Sequence, residues 1–332
     1  MEAVPSQPAR PPDALARCHA LLREPMRAVE ESLEETIHST VQLIPEVSRH
    51  LIGSGGKRIR PVLLLLCAKA SGGDERRGVG LAVATELFHS ATLLHDDVVD
   101  RGHLRRGVTA APQVYGNSAS VLVGDFLLSR AFSLVVGHGD LRLLDELSRV
   151  LTAMAEGEVL QLIRSGRLTV SLPDYVQIIS GKTAGLFSWA CRAGTSLGTV
   201  DVAGAAAEFG RELGMAFQIA DDILDYAAPS ADSGKDVAND LLQGKTTLPL
   251  LLACETDPSL LGLVESVAAA GPDQASCRPI VERVLASGAI DSARQEAQRH
   301  ADRAVARLSD FPDGPLRKCL AELADFVVRR AD

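Results

Sequence analysis

The chain has no surplus of positive charge. Its 332 residues hold 34 Lys and Arg against 43 Asp and Glu, a formal net charge of -9. Nucleic-acid phosphates are gripped by a basic face, so a general affinity for DNA or RNA is excluded and any phosphate recognition must be local. Closely spaced cysteines are missing as well. Cys18, Cys67, Cys191, Cys254, Cys277 and Cys319 lie far apart, with no CxxC and none of the spacings of a zinc site, which reads as six reduced thiols in a cytoplasmic protein. The opening MEAVPSQPARPP lacks the apolar stretch and small-residue cleavage site of a secretory signal, and residues 1–12 read as a disordered tail. Uninterrupted apolar runs of membrane-spanning length are absent too. Pro61 to Ala70 is too short, and Ser118 to Val136 is broken by Gly124, Asp125 and Arg130, so no transmembrane segment is expected.

Period-two alternation of β-branched residues is nearly absent, which excludes a sheet-based fold. Apolar residues return instead at intervals of three and four, as in Leu81, Ala84, Thr85, Phe88, Thr92 and His95. Glycine and proline punctuate this pattern at Gly53 to Gly56, Gly72 and Gly73, Gly102 to Pro112, Gly137 to Gly139, Pro173, Pro229 to Gly234 and Gly271 to Pro272. Val62 to Ala70 and Leu248 to Ala253 are apolar nearly all round and belong inside a bundle. With 46% hydrophobic residues and no linker after residue 12, residues 13–332 read as one all-α domain. The expectation is a large layered helical bundle of about ten helices around a central apolar cavity. Whether the C-terminal stretch forms a lid or an exposed helix is open.

Two acidic clusters stand out. Asp96, Asp97 and Asp100 end one helical stretch, with Asp96 and Asp100 one turn apart on a face. Asp221, Asp222 and Asp225 repeat the spacing after Ala216, Phe217, Ile219 and Ala220. Carboxylates on apolar helices repel one another and are poorly hydrated, so cations must meet them. Oxygen-only ligands without Cys or paired His select a hard ion, and Mg²⁺ favours a few carboxylates plus substrate phosphates.

Cationic residues are placed to receive those phosphates. Arg105 and Arg106 follow the first cluster, and forked guanidinium donors match phosphate oxygens. Lys57, Arg58 and Arg60 occupy a glycine-rich turn that leads through Pro61 into an apolar helix. Lys182 and Thr183 interrupt the segment from Ile178 to Trp189, Gln218 precedes the second cluster, and Lys235 and Lys245 follow it. The set suits two diphosphates, one held through metal bridges and the other by lysine and arginine.

Together these motifs resemble the trans-prenyltransferases, or polyprenyl synthetases, over nearly the whole chain. DDxxDxxxxRRG runs without departure from Asp96 to Gly107. The GlyGlyLysArg turn, the LysThr pair, the PheGln pair, the second aspartate motif and the downstream GlyLys and GlyLysThr pieces occur in family order. The resemblance implies head-to-tail condensation of isopentenyl diphosphate with an allylic diphosphate such as farnesyl diphosphate, with about three Mg²⁺ ions as cofactor. It makes Asp96, Asp100 and Asp221 the metal ligands and Asp97, Asp222 and Asp225 further or water-mediated ones. Arg105, Lys182, Thr183, Gln218, Lys235 and Lys245 would surround the allylic diphosphate, with Arg105 and Lys182 joining the six aspartates in catalysis. Lys57, Arg60, His89 and Arg106 would hold isopentenyl diphosphate. The departing diphosphate is expected to take the proton, since the sequence offers no evident side-chain base. The family also implies a homodimer.

Product length is read from the wall of the channel behind Asp96. A helical turn rises roughly 5 Å, comparable to one five-carbon unit. In the family, bulky residues at the positions of Ala91 and Thr92 mark short products; these two present no ring there, so the resemblance implies a long all-trans product, with Phe88 one turn back, or Phe126 and Phe132, as candidate floors. The runner-up readings are a geranylgeranyl or farnesyl diphosphate synthase and a non-catalytic partner subunit. A terpene cyclase or a head-to-head synthase fits less well, because the second acidic cluster is all Asp and the Lys57 turn is present. Ala91→Phe is predicted to shorten the product, checked by chromatography of the dephosphorylated alcohols; an unchanged distribution moves the floor elsewhere.

Overall fold

A computed structural model describes residues 14–165, 171–227 and 238–329. In chain order its helices are α1 (Ala14–Leu21), α2 (Arg23–Thr36), α3 (Leu43–Ile52), α4 (Ile59–Ala70), α5 (Val79–Val99), α6 (Ala111–Tyr115), α7 (Asn117–His138), α8 (Leu141–Arg164) and α9 (Leu172–Ile179). They continue as α10 (Gly185–Thr195), α11 (Ala203–Ala227), α12 (Asn239–Leu242), α13 (Leu248–Thr256), α14 (Ser259–Ala270), α15 (Gln274–Ala286), α16 (Ala289–Arg307) and α17 (Pro315–Arg329). The all-α layered bundle expected from the periodicity is present. The elements outnumber the ten expected, in part because the chain also turns at Gly116 and Gly288, both at positive φ, which the punctuation above did not mark. The described residues include one antiparallel ribbon, β1 (Leu104–Arg105) with β2 (Val108–Thr109), pairing Leu104 with Thr109 and Arg105 with Val108.

Sequence explains the layering. In α4 every residue from Pro61 to Ala68 is buried, and Leu63 to Leu66 are wholly inaccessible, as an all-round apolar helix requires. Each of those leucines contributes on the order of 2 kcal/mol of transfer free energy. α4 packs on α5 and α10, α10 packs on α11, and α11 packs on α16; α7 lies along α5. The two longest acidic-motif helices, α5 and α11, are thereby held in fixed relation through α4 and α10. Close approach of α4 and α10 depends on Gly194. A Cβ there would lie 2.1 Å from the Leu64 carbonyl oxygen.

One expectation needs revision. Six reduced thiols were read from the cysteine spacing, but Cys18 in α1 and Cys319 in α17 are joined as a disulfide, with Cα atoms 6.3 Å apart. Local spacing cannot reveal a pair separated by 301 residues. Cys67, Cys191, Cys254 and Cys277 are free. α7 passes a length-and-composition test for a membrane span despite its interruptions, as the core helix of a helical bundle also does. One third of its apolar window is buried in this chain, and Leu122 and Val136 are exposed. The C-terminal stretch is neither loose nor wholly exposed: Leu320, Leu323, Ala324 and Val327 of α17 are buried, and the helix packs on α1, α4, α11 and α16.

Gly194→Val is predicted to destabilise the fold by about 3 kcal/mol, the upper range for forcing volume into a closed contact. Chemical denaturation measures this, and a midpoint equal to wild type contradicts the packing assigned to α4 and α10.

Candidate active site

Both acidic clusters lie at the C-terminal ends of their helices, Asp96 to Asp100 closing α5 and Asp221 to Asp225 in the last turns of α11. The helix dipole is negative there, which adds to the repulsion among the carboxylates. Cations from other elements answer it. Lys182 Nζ stands 3.3 Å from Asp96 Oδ2, and Lys245 Nζ donates to Asp100 Oδ2 at 2.6 Å. Asp97 points inward and is buried; Arg105 Nε donates to its Oδ1 at 2.8 Å and Nη2 donates to the same oxygen. Its other oxygen, Oδ2, has no partner among the described residues.

The second cluster is held from behind. Asp222 is buried and accepts from Tyr175 Oη at 2.7 Å and Gln218 Nε2 at 2.9 Å, while Gln218 Oε1 accepts from Thr183 Oγ1 at 2.7 Å. Burial, and then the neighbouring Asp240 and Asp221, push the Asp222 carboxyl well above the usual carboxylate range despite those bonds. Asp225 accepts backbone N–H bonds from Asn239 at 3.1 Å and Asp240 at 2.9 Å, yet burial and Asp240 raise it to about 7. Asp221 is half-buried on the same helix and acts on Arg60 electrostatically.

Lys182 and Thr183 come from a π-helical turn, Ser180–Ala184, between α9 and α10. Such turns insert one residue into the helical ladder and redirect side chains, often at functional sites. Gly181 lets the turn press on α8, where a Cβ would meet the Ala153 carbonyl oxygen at 2.4 Å. Burial opposes the charge of Lys182, but Asp96 and Glu158 outweigh it and its pKa stands above the ordinary lysine value. Glu158 Oε1 accepts directly from Lys182 Nζ.

A second cationic group gathers around the start of α4. Arg58 is spent on the fold: it bonds Glu30 at 2.8 Å, the buried Glu86 at 2.9 Å and the Ile52 carbonyl at 3.2 Å. Arg60 is stacked 4.7 Å over the Phe187 ring, its Nε has no partner among the described residues, and burial lowers it to about 10. Arg106 Nη1 donates to the Gly55 carbonyl, bringing the ribbon against the glycine-rich turn. Burial and the charges of Arg60, Arg106, Arg105 and Arg58 hold His89 well below its ordinary pKa, so it is neutral at pH 7. Lys57 lies on the same turn, its Nζ 5.3 Å from the Phe326 ring centroid. Mutual repulsion within this group would be relieved by an anion. Arg58, Arg101, Arg106 and Ala238 are the described non-glycine residues with positive φ, a strain of about 1–3 kcal/mol each; Arg101 follows the first acidic cluster, Ala238 donates its N–H to the Asp225 carbonyl, and Arg58 and Arg106 belong to the cationic group.

Sequence reasoning missed four residues here. Glu158, Asp240, Tyr175 and Glu86 shape the charges of Lys182, Asp225, Asp222 and Arg58. Each sits in an unremarkable local context, and only the π turn, signalled by Gly181-Lys182-Thr183 inside an apolar run, left a trace. Lys235 lies outside the described residues. Of the channel-wall candidates, Phe88 is buried edge-on against Phe132 at 5.2 Å, Ala91 is buried, Thr92 caps back onto the His89 carbonyl at 2.9 Å, and Phe126 is partly buried.

No three carboxylate, His or Cys side chains converge as a ready-made metal cage among the described residues. The donors nevertheless fit a hard divalent ion. They are all oxygen, the unpartnered Asp97 Oδ2 and the raised carboxyls of Asp222 and Asp225 mark uncompensated negative charge, and Lys182 and Lys245 occupy the faces of Asp96 and Asp100.

Residues 41–284 match the family model described as polyprenyl synthetase. The chain belongs to the polyprenyl synthetase family. This synthetase is 39% identical to octaprenyl diphosphate synthase of Escherichia coli over 95% of its own length and 99% of the relative's. It is 38% identical to the all-trans-nonaprenyl-diphosphate synthase (geranyl-diphosphate specific) of Rhodobacter capsulatus, covering 91% of this chain and 94% of that one. Its fold superposes with a TM-score of 0.92 on polyprenyl synthase from Caulobacter crescentus, solved with calcium and isoprenyl diphosphate, at 42% identity and covering 97% and 100% of the two chains. The synthetase is therefore a prenyltransferase with the isoprenoid synthase fold.

The raised carboxyls set a pH dependence. An Asp225 that titrates near 7 when folded, against about 4 unfolded, binds more protons folded than unfolded in that window, so the metal-free protein loses this stability as pH rises through it. Mg²⁺ needs the deprotonated form. Apparent Mg²⁺ affinity, measured by calorimetry, is predicted to weaken as pH falls below about 7 with proton release on binding; an affinity flat from pH 8 to 5 contradicts the assignment.

Proposed function

We propose that the synthetase condenses isopentenyl diphosphate head-to-tail with an allylic diphosphate and builds a long all-trans polyprenyl diphosphate of about seven or more isoprene units, by the helical ruler behind Asp96. The observation that carries this reading is the opposition of two acidic helix ends to two separate cationic groups, one around Lys182 and Lys245 and one around Arg60, Arg106 and Lys57. That division suits two diphosphates handled differently. The similarity to octaprenyl and nonaprenyl synthases supports the long product.

Asp96, Asp100 and Asp221 would hold about three Mg²⁺ ions, with Asp97, Asp222 and Asp225 as indirect ligands. Mg²⁺ held there would neutralise the charge that develops on a departing diphosphate. Around it, Lys182, Lys245, Thr183, Gln218 and Arg105 orient the allylic diphosphate, and Lys235 joins them in sequence order. Lys57, Arg60, Arg106 and neutral His89 grip isopentenyl diphosphate and aim its alkene at the allylic carbon. The allylic C–O bond breaks with its electron pair going to diphosphate, the alkene pair forms the new C–C bond, and loss of a proton to the released diphosphate restores an alkene. Fixed cations in a partly buried site supply most of the rate. Exposed Leu122 and Val136 on α7 leave room for a contact with a second copy of the chain, the homodimer that the family implies.

Purified protein incubated with labelled isopentenyl diphosphate and farnesyl diphosphate is predicted to yield a product ladder ending at long chains only when Mg²⁺ is present. A single short product refutes the long-chain reading, and no product points to the partner-subunit alternative. Asp96→Ala and Asp221→Ala are each predicted to cut turnover by several orders of magnitude with the fold intact by circular dichroism. Near-wild-type turnover in both sinks the metal assignment.

A further inference from the structure

The C-terminal helix reaches the substrate group at one point. Cys319, Glu322 and Phe326 recur at i, i+3 and i+7 and so form one stripe along α17. Two members fasten the helix to α1: Cys319 is bonded to Cys18, and Glu322 Oε2 accepts from Arg17 Nε at 3.0 Å and Nη2 at 2.8 Å. The third, Phe326, is partly buried against the core and meets Lys57 Nζ at 5.3 Å from its ring centroid. On the other side of Lys57, Arg58 is locked to Glu30, Glu86 and the Ile52 carbonyl. The backbone beside Lys57 is thus pinned while its long side chain keeps several rotatable bonds.

We propose that Phe326 is a positioning residue that selects the rotamer of Lys57 through a cation–π contact and so presets its ammonium for the diphosphate of isopentenyl diphosphate. The inference rests on the reading of Lys57 given under the proposed function. A ring face attracts an ammonium within about 6 Å, and at a partly exposed site the contact is worth a factor of about two to five in an equilibrium constant. Leucine retains most of the packing of the Phe326 side chain but offers no ring, whereas tyrosine and tryptophan keep the ring.

The test uses the full chain with its lysines reductively ¹³C-methylated, which preserves their charge, and with the Lys57 resonance assigned from Lys57→Arg. In Phe326→Leu the Lys57 signal is expected to lose its ring-current displacement. The KM for isopentenyl diphosphate should rise about two- to fivefold, with kcat and the allylic KM unchanged, and Phe326→Tyr should restore both readouts. A Lys57 signal unmoved in Phe326→Leu overturns the contact. A moved signal with an unchanged KM, while Lys57→Ala raises that KM, overturns the positioning role. If Lys57→Ala itself leaves the KM unchanged, the reading of Lys57 is wrong and the kinetic half of the inference falls with it, the resonance still deciding the contact.

Discussion

Negative charge concentrated at the C-terminal ends of two helices is the constraint that organises this structure. Six carboxylates sit where the helix dipole opposes them and where hydration is poor. Five have a specific answer: Lys182 for Asp96, Arg105 for Asp97, Lys245 for Asp100, Tyr175 with Gln218 for Asp222, and the backbone N–H groups of Asn239 and Asp240 for Asp225. These answers are incomplete. Asp97 keeps an unpartnered oxygen, and Asp222 and Asp225 hold protons more tightly than free carboxyls. The surplus is what a divalent cation carrying a phosphorylated ligand would neutralise.

The helical scaffold serves that arrangement. α5 and α11 do not need each other for packing, because α4 and α10 sit between them and fix their relation through the close contact at Gly194. The gap beside them can then be polar without costing the core its density. Strain accumulates beside the clusters and in the cationic group, in the positive φ values of Arg58, Arg101, Arg106 and Ala238. The buried pair of Arg58 with Glu86 shows how one basic residue of the turn is sacrificed to hold the others in place. Without Glu86, the nearly buried Arg58 would keep only the half-exposed Glu30 and the Ile52 carbonyl as partners.

What was legible in the sequence was whatever repeats at short range. The helical period, the two aspartate clusters and the basic turns are local patterns, and they carried both the all-α fold and the family resemblance. Residues that act across the bundle were hidden. Tyr175 reaches Asp222 from 47 positions away, and Glu158 resembles any acid on an amphipathic helix until Lys182 meets it. The Cys18–Cys319 bond spans nearly the whole chain and left no spacing signature. Arg58 shares the basic turn with Lys57 and Arg60, and its environment makes it a fold residue.

The central claim is that the carboxylate clusters bind diphosphate only through metal. Calorimetric titration of a non-ionisable allylic diphosphate analogue into the protein, with Mg²⁺ and then with chelator, tests it most directly. The account predicts tight binding with Mg²⁺ and loss of nearly all affinity without it. Equal affinity in both titrations would show that lysine and arginine alone hold the ligand, and would contradict the role given to the six aspartates.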